Sequence, residues 1–206
     1  MSILDKLVRE HHLIRDYVDK IQIAAEVYGW GERPPREFFE LMFDFTDIFI
    51  EKYHHIKEEE ILFPILVEKL EGELDQPFKA LENQHKQARI AMKEIRRTLD
   101  GYVEGDDTQT AIFWRNLGSY TSFLRAHINR ENHIFLPWIE RALKKTEREE
   151  LERQFEMEES KLGEDVLEKS KEILNEMTQV LEKHYGHRYR YLLDAVTSKR
   201  KNYKVA

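Results

Sequence analysis

The chain has 206 residues, a net charge of −7 and no cysteine. The acidic balance excludes a general nucleic-acid-binding protein, which needs a basic surface, and the lack of cysteine excludes disulfides, thiolate metal sites and cysteine nucleophiles. The N-terminus shows no signal peptide and no stretch approaches the roughly 18 apolar residues of a membrane helix, so we expect a cytoplasmic protein with no membrane partner.

Helical periodicity dominates the sequence, and the alternation typical of strands is nearly absent. We predict four long helices, over residues 3–28, 35–70, 78–99 and 108–143. The second and fourth helices each contain an internal proline, Pro64 and Pro137, where the helix is expected to bend. Because the connections are short, the pattern predicts an all-α, up-down-up-down four-helix bundle over residues 1–145.

Residues 146–206 are predicted to form a C-terminal helical extension without a core of its own. Its segment HYGHRYRYLL, residues 184–193, is rich in aromatic and basic residues. A second metal site there would need a further ligand, and an RNA-binding patch conflicts with the acidic chain. We therefore favour packing of this segment on the bundle or in a homodimer contact.

The two halves of the predicted bundle repeat one pattern. Residues 7–21 align with residues 81–95, and residues 54–64 align with residues 127–137. Each half supplies one histidine and then, 43 residues later in the first half and 42 in the second, a His-x-x-x-Glu pair. The resulting candidate ligands are His11, His54, Glu58, His85, His127 and Glu131.

The spacing within each His-x-x-x-Glu pair has a physical meaning. Residues i and i+4 lie on one face of a helix, so an imidazole and a carboxylate can point at the same place in a bundle core. Two such pairs and two further histidines supply four nitrogen and two carboxylate donors. This set suits two transition-metal ions with the carboxylates between them.

The faces of the helices decide between neighbouring histidines. His54 lies on the apolar stripe of its helix, whereas His55 and Glu59 fall on a charged face and are expected to be solvated. By the same comparison, His11 lies on an apolar face and His12 on a charged one. We therefore choose His54 and His11 as the candidate ligands.

Each feature alone has a plainer interpretation. A single histidine on an apolar face is more often a core residue, and one His-x-x-x-Glu pair in a glutamate-rich chain is close to chance. Two buried carboxylates, however, cost several kcal/mol each unless they are paired or coordinated. Lys57 is expected to be rotated away from them. Ion pairs from Arg15 and Arg89 to Glu58 and Glu131 are the main alternative to a metal.

Several motifs together resemble the hemerythrin family, in its HHE cation-binding branch, over about residues 3–143. These motifs are Glu10-His11, His54-x-x-x-Glu58, Gln84-His85 and His127-x-x-x-Glu131. The resemblance implies a four-helix bundle around a non-haem di-iron centre, oxo- or hydroxo-bridged when oxidised, that binds dioxygen or related small molecules. Manganese and zinc stay open as the metal, since imidazole and carboxylate donors accept several ions.

Two positions depart from the oxygen-carrying members of that family. Where they have a fifth histidine, this chain has Arg89. Where they have an aspartate as the last carboxylate, this chain has Asn132, and Glu131 is the candidate instead. One metal would thus lose a nitrogen ligand, which leaves either an open position or a place for another donor, Glu59 or Tyr53.

Three classes of function follow. The first is a di-iron protein that binds or reacts with dioxygen, peroxide or nitric oxide; no catalytic residue is assigned and turnover stays open. The second is an iron-responsive sensor or iron-storage protein that signals to a partner through its C-terminal helices. The third is a helical interaction module with a structural metal or none. An open metal position favours reactive chemistry or sensing over reversible oxygen carriage.

Overall fold

The computed structural model describes residues 3–69, 75–163 and 165–202, and this part of the chain is helical with no strand. The predicted all-α fold class is confirmed. The α-helices are α1 (Ile3–Gly29), α2 (Arg36–Phe45), α3 (Phe63–Lys69), α4 (Asp75–Glu104), α5 (Asp107–Arg130), α6 (Leu136–Ala142), α7 (Lys145–Leu162), α8 (Val166–Tyr185) and α9 (His187–Asn202). Three π-helical segments lie between them, at Thr46–His55, Lys57–Leu62 and Glu131–Phe135.

A π-helical segment precedes each of the two internal prolines, and the bends expected there stay a prediction. Pro64 and Pro137 each occupy the second position of an α-helix that directly follows a π-helical segment. Proline has no backbone N–H to donate, so the regular hydrogen-bond ladder cannot continue through it. In both places the winding of the chain changes from π to α at the proline.

The third predicted helix is longer than expected. It was predicted to end near Leu99, but α4 continues to Glu104 because Tyr102 is buried. The Tyr102 ring stacks on Phe113 at 4.7 Å, and its hydroxyl donates to the carbonyl of Pro34. Helix α5 follows after a two-residue turn. The predicted turn over residues 72–77 lies largely outside the described residues.

Two apolar clusters form the core, and the candidate ligands lie between them. Leu7 precedes His11 and belongs to the smaller cluster, whereas Ile14 follows it and belongs to the larger one. On α4, Leu81 in the smaller cluster and Ala88 in the larger one flank His85 in the same way. Polar side chains therefore fill a layer between two apolar layers.

The C-terminal helices share the larger cluster. Leu174, Met177 and Leu181 of α8 and Tyr189 of α9 are buried in it, α8 packs against α2, and α9 packs against α1. Helix α7 contacts α1 and the π-helical segments Thr46–His55 and Lys57–Leu62. The predicted division of the chain near residue 145 stays a prediction. Within the described ranges, no helix has the length and apolar character needed to cross a membrane.

Candidate metal centre

All six candidate ligands lie together in the interior, and none is more than 3% exposed. Helices α1, α4 and α5 supply His11, His85 and His127, and the π-helical segments supply the other three. The positions that the duplicated spacing singled out are thus brought together by tertiary packing.

Glu58 lies at the middle of this group. Its Oε1 atom is 3.3 Å from His54 Nε2 and 3.9 Å from His11 Nε2. Its Oε2 atom is 3.6 Å from the Nε2 atoms of both His85 and His127. One carboxylate therefore contacts all four predicted histidines.

Glu131 occupies a second position between the histidines. Its Oε2 atom is 3.1 Å from His11 Nε2 and 3.2 Å from His127 Nε2. Two groups of donors result, each with its atoms within 4.8 Å of one another. The first comprises His11, His54, Glu58 and Glu131, and the second comprises His55, Glu58, His85 and His127.

His55 belongs to the second group although we expected it to be solvated, and that expectation is wrong. Its side chain is 1% exposed, and its ring stacks on that of His85 at a centroid distance of 3.8 Å. The reason is the π-helical winding of Thr46–His55, which adds a residue to each turn and keeps two consecutive side chains nearer to one face. Both His54 and His55 therefore face the interior.

Three of the histidines are oriented through their Nδ1 atoms, which donate hydrogen bonds to oxygen. The pairs are His11 with Asn132 at 2.8 Å, His54 with Glu10 at 2.8 Å, and His85 with Glu59 at 2.5 Å. A histidine held in this way presents Nε2 as the free donor to a metal. Asn132 and Glu59, considered above as departures or substitute ligands, instead support the ligand histidines.

Several buried polar atoms of the centre have no hydrogen-bond partner. They are His11 Nε2, His54 Nε2, both ring nitrogens of His55, Glu58 Oε2, His127 Nδ1 and Glu131 Oε2. Two of them, His11 Nε2 and Glu131 Oε2, lie 3.1 Å apart but out of hydrogen-bond alignment. An unsatisfied buried polar atom costs about 1–3 kcal/mol. Cations placed among these lone pairs would satisfy them, so the residues fit a metal.

In the metal-free protein, protons on the histidines balance the negative charges of the buried carboxylates. Burial works against the charged form of His11, but the neighbouring Glu131 and Glu58 outweigh it and raise the pKa of His11 to about 10. Burial and the same two carboxylates act on His127 likewise and raise its pKa to about 9. Burial would raise the pKa of Glu58, but the neighbouring histidines hold it well below the usual range.

The pKa values of His85 and His55 are lowered rather than raised. Burial, aided by the neighbouring His55, lowers the pKa of His85 to about 4. Burial also lowers the pKa of His55. The Nε2 atoms of His85 and His127 are 2.9 Å apart, within hydrogen-bond distance. Neutral imidazole is the form that binds metals.

Ion pairs from arginines to Glu58 and Glu131 were the alternative to a metal, and Arg89 instead pairs with other carboxylates. Its guanidinium donates to Glu51 at 2.7 Å and to Glu59 at 2.8 Å, and both partners are partly exposed. Arg15 donates to the side-chain oxygen of Asn129 at 3.1 Å. The closest contacts of Glu58 are with histidines.

Lys57 pairs with carboxylates other than Glu58, as expected, and its side chain is fully buried. Its ammonium contacts Glu10 at 2.5 Å and Glu159 at 2.9 Å, and it lies 3.7 Å from the centre of the Tyr53 ring. Tyr53, the other substitute ligand considered above, therefore packs against a cation. Glu10 connects this cation with His54.

Fold and site together define an all-helical protein with a buried histidine and carboxylate centre suited to metal cations. The family model described as hemerythrin HHE cation binding domain matches residues 2–139. The chain belongs to this family, whose domain binds metal cations, typically iron. No curated protein and no solved structure matches the chain.

Proposed function

We propose that this protein holds two iron ions in an up-down-up-down bundle and binds or reacts with dioxygen, peroxide or nitric oxide at them. The observation that carries the proposal is the pair of buried donor groups that share Glu58. A shared carboxylate is the feature that distinguishes a two-metal centre from two separate sites. The first position has two imidazoles and two carboxylates, and the second has three imidazoles and one carboxylate.

The distances between donors support two ions. Two donors that are each about 2.1 Å from one ion, at roughly a right angle, lie about 3 Å apart. His85 and His127 are separated by 2.9 Å, and His11 and Glu131 by 3.1 Å. In this proposal His55 supplies the nitrogen that the chain lacks at Arg89.

The residues around the candidate metal centre favour the binding of small oxidants. When bound, two iron ions supply electrons to an oxidant or a place for a diatomic molecule to bind. The neutral imidazoles leave the charge of the ions only partly balanced by Glu58 and Glu131, which favours an anionic ligand. The apolar layers on both sides exclude water and limit proton delivery.

The test is metal analysis after anaerobic loading with ferrous iron. We expect about two irons per chain for the unchanged protein. Glu58→Gln should lose iron from both positions, because both use this carboxylate, whereas Glu60→Gln, an exposed neighbour on the same segment, should retain it. Fewer than about one iron per chain in the unchanged protein would contradict the proposal and leave the interaction-module function.

Optical spectroscopy then separates the small molecules. Loaded protein is mixed in turn with dioxygen, peroxide and nitric oxide, and the absorption of the iron centre is followed over time. A spectral change with one of them shows that the centre binds or reacts with that molecule, and no change with any of the three would contradict the proposed reactivity. The same mixing experiment on Glu58→Gln should give no such change.

A second function, iron sensing or storage, is favoured by one observation. Lys57, which is adjacent to the candidate ligand Glu58, pairs with Glu159 of the C-terminal helix α7. Stabilisation by iron without a reaction with any of the three small molecules would favour this function. The cytoplasmic location, the homodimer and the lack of nucleic-acid partners stay predictions from the sequence.

A further inference from the structure

A buried cation lies between the candidate metal centre and the C-terminal extension. Lys57 is fully buried, and its ammonium is shared between Glu10 and Glu159. The rings of Tyr53 and Phe155 lie 3.7 and 5.5 Å from it. Glu159 and Phe155 belong to α7, which lies beyond the residues that match the family model.

Glu10 extends this contact to a candidate ligand. Its Oε1 atom accepts from Lys57, and its Oε2 atom accepts from Nδ1 of His54. Each carboxylate oxygen of Glu10 is thus used by a different partner. A continuous chain of charged hydrogen bonds runs from Glu159 through Lys57 and Glu10 to His54.

We propose that α7 contributes to metal binding at the candidate metal centre. Glu159 is a positioning residue that acts through Lys57 and Glu10 to set the orientation and basicity of His54. The converse also holds, because a metal that binds His54 strengthens the same series of hydrogen bonds and stabilises the docking of α7. This inference rests on the proposed function, since it requires a metal at His54.

The mechanism is the division of one positive charge between two carboxylates. With Glu159 present, Lys57 neutralises Glu10 only in part, and Glu10 remains a strong acceptor for the N–H of His54. Without the charge of Glu159, Lys57 acts on Glu10 alone, and the hydrogen bond to His54 weakens. Loss of such an outer partner of a ligand histidine typically lowers metal affinity about 10–100-fold.

Coupling of this kind is reciprocal. If docking of α7 raises the affinity of the first metal position by some factor, metal at that position raises the docking equilibrium of α7 by the same factor. The docking of α7 therefore depends on whether iron is bound. This is the property that an iron-responsive protein needs in order to signal through its C-terminal helices.

The experiment compares Glu159→Gln with Glu156→Gln in the full chain. Both glutamates contact Lys6 near the surface, at 3.5 and 3.4 Å, but only Glu159 contacts Lys57. The Glu159 side chain is 20% exposed, so glutamine fits at that position. Each protein is loaded anaerobically with ferrous iron, counted for iron, and then exposed to a strong iron chelator.

We expect all three proteins to bind the same amount of iron at saturation. In Glu159→Gln one of the two irons should leave about tenfold faster, while the other leaves at the unchanged rate. Hydrogen exchange should show that iron protects Lys145–Leu162 in the unchanged protein and in Glu156→Gln, and not in Glu159→Gln.

The experiment distinguishes failure of this inference from failure of the di-iron proposal. If Glu159→Gln releases iron like Glu156→Gln, or releases both irons faster by the same factor, the inference is wrong while the di-iron proposal stands. If the unchanged protein takes up no iron, both are wrong. Should Glu159→Gln fail to fold, Glu159→Ala replaces it, because it also removes the charge, and release at the unchanged rate would again overturn the inference.

Discussion

His11 and His127 carry protons at neutral pH in the metal-free centre, because their pKa values are raised to about 10 and about 9. A metal binds imidazole only after the proton has left. We therefore expect iron uptake at pH 7 to release about two protons per chain. Calorimetry in buffers of different ionisation enthalpy measures this number, and uptake without proton release would show that these histidines are neutral in the metal-free centre.

The stability of the metal-free protein should fall as the pH rises above neutral. In the unfolded chain both histidines lose their protons near pH 6.5, whereas in the folded protein they keep them to about pH 9–10. Their contribution to the free energy of unfolding is therefore complete below pH 6.5 and is lost as the pH rises through the folded values. The decline is at most about 1.4 kcal/mol per pH unit for each histidine.

Chemical denaturation at a series of pH values from 6 to about 10 measures this decline. Glu58 and Glu131 have lowered pKa values, so their contribution is lost instead as the pH falls below about 4.5. The lowered pKa values of His85 and His55 make their contribution to stability fall as well when the pH drops below about 6.5. Stability should thus be greatest near pH 6.5. Iron-loaded protein is the control, because its ligand histidines carry no protons to lose, and an equal decline in both forms would contradict the assignment.

In the proposed di-iron centre, His55 completes the second metal position. His55→Gln removes one of its three imidazoles and should weaken iron binding at that position at least about tenfold, while the first position stays filled. His12→Gln is the matched control, because His12 is the neighbour of a candidate ligand but is exposed. Iron titration followed by absorption measures both positions. If His55→Gln binds both irons as the unchanged protein does, His55 only fills space beside His85.

At the scale of helices, the π-helical segments position the carboxylates and the histidines beside them. All three segments contain or border candidate ligands, namely His54 and His55, Glu58, and Glu131. π-Helical turns are rare and frequently mark functional sites. The wider winding explains why a face assignment based on α-helical periodicity was right for His54 and wrong for His55.

The start of α5 offers a local test of a helix end. Asp106 accepts a hydrogen bond from the backbone N–H of Gln109 at 2.8 Å and so caps the helix. Asp106→Ala should lower the free energy of unfolding by about 1 kcal/mol, measured by denaturant unfolding. Asp106→Asn should restore most of it, because asparagine caps a helix equally well. Equal losses in both variants would show that the charge of Asp106 matters and its hydrogen bond does not.

At the scale of the whole molecule, helices α8 and α9 share the larger apolar cluster with the family domain. Met177 of α8 is fully buried in the larger cluster, whereas Met157 of α7 is 67% exposed. Met177→Ala should destabilise the protein by about 2–5 kcal/mol, and Met157→Ala by less than about 0.5 kcal/mol. Thermal unfolding that remains a single transition in both variants would support one cooperative unit, and a separate early transition in Met177→Ala would contradict it.

The helices and the main donor set could be predicted because their signals are local. Periodicity along each helix indicates which face is apolar, and the repeated His-x-x-x-Glu spacing marks residues that share a face. This was sufficient to place His11, rather than His12, in the interior with Glu58 and Glu131, while their role as ligands stays a prediction. The end of α4 was misjudged because Tyr102 is held in the core by residues distant in the chain.

The remaining features depend on contacts between segments that are far apart in the chain. The inward position of His55 requires π-helical winding, which α-helical periodicity does not indicate. The roles of Asn132 and Glu59 follow only when each meets a histidine of another helix. Lys57 could be expected to avoid Glu58, but not to pair with Glu159 of α7, because the docking of one helix on another is decided by the packing of the whole chain.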